Sequence, residues 1–172
     1  MFSKFLTVTA LAASLSTAVY AADAPTDPQI AHIAYTAGEI DVAAAKQALE
    51  KSKNAEVRQF AETMERDHEA VNQQALALLT KLKVKPEDNA TSKSLASAAK
   101  TELTTLSKLQ GAAFDKAYVE NEVAYHKQVN TALETALIPS AQNAELKSLL
   151  QTGLALFKAH QAHAEHLASM LK

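Results

Sequence analysis

Along residues 55–83 the core-type positions read Val57, Ala61, Met64, His68, Val71, Ala75, Leu78 and Leu82, in steps that alternate three and four. That spacing belongs to a helix with one face buried in a bundle, and it excludes the period of two that a strand requires. The exception in the row is His68, roughly halfway along. The same thing happens near the C-terminus, where Leu146, Leu149, Gly153, Phe157, His160, Ala164, Leu167 and Leu171 form a stripe with a histidine inside it. Glu122 and His126 likewise fall in the apolar stripe of the segment 112–137. A buried polar group left unpaired costs ~1–3 kcal/mol. Titratable groups at similar depth on three helices therefore predict one shared polar cluster inside an apolar bundle.

Composition agrees with helices alone. There are three glycines, no tryptophan and 48% hydrophobic residues, much of it alanine, which suits closely approaching helices rather than sheets. One domain of 172 residues can bury roughly two-thirds of its unfolded surface. Enzyme signatures are absent: no cysteine nucleophile, no glycine-rich phosphate loop, no His-Glu-x-x-His and no Gly-x-Ser-x-Gly.

The N-terminus reads as an export signal. Lys4 supplies the positive region, Phe5 to Ala18 an apolar stretch, and Val19-Tyr20-Ala21 the small residues that favour cleavage after Ala21. A retained anchor would need about 20 apolar residues. Residues 1–21 are thus expected to be a signal peptide, 22–27 a linker and 28–172 the bundle, giving a soluble periplasmic protein without stable membrane insertion. Loss of Lys4 leaves 16 basic against 19 acidic side chains, so no nucleic acid or anionic lipid is drawn by charge.

Asp27 as N-cap and Pro28 at the first helical position open a first helix that runs to about Lys51. Its clearest stripe is Ile30, Ile33, Ala37, Ile40, Ala44 and Ala48. Ser52-Lys53-Asn54 is a tight turn, and the second helix ends near Lys83. A polar connection with Pro86 precedes a weaker helix over 92–109, broken at Gly111. The next helix spans 112–137 and stops before Pro139; the last covers 143–171. Two short turns make two antiparallel hairpins, and the 92–109 segment (~27 Å long) can travel back between them. That is the ferritin-like connection: a four-helix bundle with an extra crossover helix.

This register makes Glu39 level with His68 and draws Glu39, Glu65, His68, Glu122, His126 and His160 within about two helical turns. Asp67, beside His68, could orient a ring or cap a cation. His163 and His166 wind away from His160 and read as surface residues. His32 has no place in this scheme.

The run Phe60 to His68, with its Asp67-His68 pair, the block Phe114-Asp115-Lys116-Ala117-Tyr118, and the following Glu122, His126 and His160 resemble a family of exported bacterial proteins, domain of unknown function 4142, assigned to the ferritin-like superfamily. The resemblance spans about Pro28 to Leu171 and implies that fold and a periplasmic setting. A ferritin-like di-iron site needs one Glu from each of two helices and Glu-x-x-His from each of the others. Here Glu39 and Glu65-x-x-His68 match, and Glu122 could serve as a lone carboxylate, but Phe157 stands where the last helix needs its Glu. The remaining set suits a single Zn²⁺ or Cu²⁺ held by imidazoles and a carboxylate, in metal handling or envelope stress rather than turnover. Two other readings stay open: a metal-free structural or protein-interaction bundle whose His/Glu/Tyr network, including Tyr118, fixes one packing, and a small-molecule binder with the cluster as its floor.

Overall fold

The computed structural model describes residues 24–171; the expected signal peptide and its cleavage lie outside them. The described chain is helical: α1 Asp27–Lys51, α2 Ala55–Leu82, α3 Ala90–Ser107, α4 Gly111–Ala132, a π turn Leu133–Leu137, the short α5 Ile138–Ser140, and α6 Ala144–Met170.

Local chemistry sets the boundaries. Asn54 and Asn143 cap α2 and α6, each side-chain oxygen accepting two backbone N–H groups of the first turn. The cap of α1 is Thr26 rather than Asp27. Asp27 is used elsewhere: its carboxylate accepts the N–H groups of Gln142 and Asn143 at 2.8 Å, tying the start of α1 to the turn before α6. Gly111 opens α4 with a φ of +54°, a conformation that side chains with a Cβ rarely adopt.

α1 and α2 form one antiparallel hairpin and α4 and α6 the other. α1 packs also on α4, and α2 on α6. α3 lies along α1 in the same direction: Asn89 donates to the Gln29 carbonyl at one end, and Lys51 to the Ser107 carbonyl at the other. The crossover therefore carries the chain back to the end that holds the α1–α2 turn, and α2 and α4 run parallel. The fold is a ferritin-like four-helix bundle with a crossover helix on its flank. No helix among the described residues is long and apolar enough to cross a membrane.

The core has two apolar halves. Phe60, Met64, Phe114, Tyr118 and Leu167 fill the half near the α1–α2 turn. Ile30, Leu79, Leu137, Leu146 and Leu150 belong to the other. Between them sit buried Asp41, His68, Glu122, His126 and His160.

Candidate metal centre

Four helices each contribute to this polar layer. α1 supplies Asp41, α2 His68, α4 both Glu122 and His126, and α6 His160. The three imidazoles form a triangle with ring centroids 5.3 to 5.6 Å apart. Phe157 stacks flat on His68 at 4.6 Å, fixing the plane of that ring.

Asp41 approaches two of the histidines, with Oδ2 3.4 Å from His68 Nε2 and 3.5 Å from His126 Nε2. These separations are long for hydrogen bonds. They are close to the spacing of two donors around a common tetrahedral ion, ~3.3–3.4 Å for bonds of ~2.0–2.1 Å. One donor atom each from His68, His126 and His160 lie within 4.8 Å of one another, as do those of Asp41, Glu122 and His126.

Hydrogen bonds behind the triangle orient two of its rings. His160 Nε2 lies 3.0 Å from Asp67 Oδ2. His126 Nδ1 lies 3.1 Å from the Glu122 carbonyl oxygen. That carbonyl can only accept, so Nδ1 carries the hydrogen and Nε2 presents its lone pair toward Asp41. A ring nitrogen bonded to a carboxylate or carbonyl is the usual arrangement behind a metal-binding imidazole. Asp41 Oδ1 and Oδ2, both nitrogens of His68, Glu122 Oε2, His126 Nε2, His160 Nδ1 and the Tyr118 hydroxyl are buried with no hydrogen-bond partner in the protein.

Electrostatics follow from that burial. Burial pushes the Glu122 carboxyl up to about 8. Asp41 is raised well above the usual carboxylate range by burial and then by Glu122, against the pull of His126. His68 falls well below the usual imidazole value through burial and the neighbouring His126 and His160. Burial also lowers His160, although Asp67 opposes it. Burial, Glu122 and Asp41 raise Tyr118 in the same way. Left alone, Asp41 and Glu122 favour their neutral acid forms and His68 and His160 their neutral rings, the states that a divalent ion would convert into ligands.

Of the residues expected from sequence, His68, Glu122, His126 and His160 come together. Glu39 and Glu65 do not join them. Glu39 is exposed and accepts from Asn72 Nδ2 at 2.8 Å. Glu65 is half-exposed and lies 3.6 Å from Lys46 Nζ. Solvent and a cation stabilise both more cheaply than burial would. Asp41 takes the place expected of Glu39, two residues further along α1. With two buried carboxylates, and an aromatic ring where a further Glu would be needed, the layer does not fit a di-iron centre. His163 is exposed with its ring edge-on to Phe60, and His166 is exposed, so neither belongs to the site.

A candidate secreted protein, DUF305, from Streptomyces coelicolor has a similar solved structure, with a TM-score of 0.69 at 12% identity, covering 83% of this chain and 90% of that one. No curated protein shows significant similarity to the chain. A profile described as "Domain of unknown function (DUF4142)" matches residues 12–167. The chain is a member of the DUF4142 family.

Proposed function

We propose that this protein binds one divalent transition-metal ion, Zn²⁺ or Cu²⁺, through His68, His126, His160 and Asp41, with Glu122 as a nearby second carboxylate. The observation that carries the reading is the convergence of buried, unpartnered nitrogen and oxygen atoms near co-ligand distances around Asp41 Oδ2. The Asp67 and Glu122-carbonyl contacts add support, since they leave His160 Nδ1 and His126 Nε2 available as ligands. The binding serves metal handling in an exported compartment, possession and delivery of the ion rather than turnover. An export signal in the sequence supports that setting, as does the description of the Streptomyces coelicolor relative in fold as a candidate secreted protein.

The test is a Zn²⁺ titration of the mature protein without an affinity tag. One equivalent is expected per chain. Asp41→Asn and His126→Ala should each weaken binding at least about a hundredfold while the protein stays helical, because each removes a ligand from a set of four. Glu39→Gln and Glu65→Gln should bind as wild type. In a metal-free structural network, Asp41→Asn and His126→Ala would instead lower stability equally with and without Zn²⁺.

A further inference from the structure

A cavity of about 280 Å³ adjoins the polar layer on the side of the second apolar half. Asp41, His68 and His126 stand at its inner end, while His160 and Glu122 do not line it. The remaining walls are mainly apolar, among them Val71, Val129, Leu137, Leu150 and Phe157, and exposed Thr91 and Gln128 mark the rim. Two features of the chain keep this space open. Gly153 lies in the buried row of α6 and faces the cavity, where an added Cβ would meet only Phe157, at 3.4 Å. The π turn also contributes Leu133, Ala136 and Leu137 to the wall, and such turns recur beside ligand sites. The volume is nearly twice the ~150 Å³ of an engineered apolar cavity that admits benzene, so it accommodates about ten non-hydrogen atoms.

An apolar cavity that ends on convergent polar groups has the form of a ligand site. We propose that it binds a medium-chain aliphatic carboxylate, tail in the cavity and head group on the ion held by the cluster. The inference rests on the metal reading above. Three neutral imidazoles and Asp41 leave a divalent ion with one net positive charge on the cavity side. A carboxylate neutralises that charge, whereas an alkylammonium head is repelled by it. The ion's face toward Asp41, His68 and His126 is the one an entering ligand reaches, because those residues form the inner end of the cavity.

The probe is octanoate, ten non-hydrogen atoms, added to protein loaded with Co²⁺ as a coloured substitute for Zn²⁺. Octanoate should shift the visible Co²⁺ bands saturably. Acetate should need at least about tenfold higher concentration, since it lacks the buried methylenes. Affinity should rise with chain length and fall again once the tail exceeds the cavity. Gly153→Leu, which fills the cavity without touching a ligand, should retain the Co²⁺ bands and lose the octanoate response. The chain-length series on the native protein carries the test even if that variant fails to fold.

Co²⁺ bands that octanoate leaves unchanged would overturn the carboxylate site and leave the metal reading standing. An equal octanoate response in folded, Co²⁺-loaded Gly153→Leu would place binding outside the cavity. Octylammonium binding in preference to octanoate would overturn the ligand class. Absence of Co²⁺ binding altogether would overturn the metal reading, and this inference with it.

Discussion

A carboxyl group with both oxygens buried and no hydrogen-bond donor, as at Asp41, is stable only when it is protonated or faces a cation. Glu122 obeys the same rule, with its fold value near 8 against an ordinary 4.5. Between those values the folded chain holds a proton that the unfolded chain has released. Its stabilisation is therefore complete below pH 4.5 and lost as pH rises through 8. Lowered His68 and His160 act in the opposite sense: their contribution is complete above the ordinary 6.5 and lost as pH falls through their depressed values. The two effects separate between pH 6.5 and 8. Across that window the metal-free protein should lose about 1–2 kcal/mol in denaturant titrations, and Glu122→Gln should flatten the decline. Stability that rises with pH there would contradict the assignment. The histidines and Glu122 were legible in sequence because each interrupts an apolar row. Asp41 was not, because the row traced through Ala37 and Ile40 is rotated by one residue from the buried row through Gly38, Asp41, Ala45 and Ala48. Alanine on both faces of α1 hid that rotation; a 3-4-3 spacing through Gly38, Asp41, Ala45 and Ala48 would have revealed it.

Helix faces drift, and the elements here correct for it. On α2 the buried row follows the heptad-like spacing through Val57, Ala61, Met64 and His68, then takes an extra step of four to Asn72, so Val71 and Leu78 are only half-buried. A straight helix of 3.6 residues per turn slips about 20° per heptad, which accounts for the shift. Pro139 was expected to stop the helix before it. The chain instead continues to Ser140 through the π turn, where Ile138 N–H bonds to the Leu133 carbonyl. The proline lacks an N–H and its ring opposes the carbonyl four residues back, and the wider turn accommodates both. Close approach of α1 and α2 rests on Gly38, where a Cβ would lie 2.1 Å from Asn72 Oδ1. Gly38→Ala must displace the Asn72–Glu39 hydrogen bond and should cost about 1–3 kcal/mol. Gly153→Ala has room for its methyl and should be neutral or stabilising by up to ~1 kcal/mol. Denaturant melts of the two variants check this pair, and a Gly38→Ala protein at least as stable as Gly153→Ala would refute it.

Topology was legible from connection lengths. A three-residue turn forces α1 and α2 antiparallel, and the 92–109 segment is long enough to return along the bundle before α4 begins, as α3 does. The result is a molecule with a polar layer between two apolar halves, one packed with aromatic rings and the other containing a cavity. No spacing in the sequence reports a cavity, since empty space depends on how four helix faces meet. The central claim is that this polar layer is a single-ion site. Anomalous diffraction across the zinc absorption edge, from crystals grown with one equivalent of Zn²⁺, tests it most directly. One core peak per chain is predicted, within about 2.0–2.2 Å of nitrogens of His68, His126 and His160 and of an Asp41 oxygen. A core without an anomalous peak, with the three imidazoles and Asp41 hydrogen-bonded to one another instead, would contradict the account.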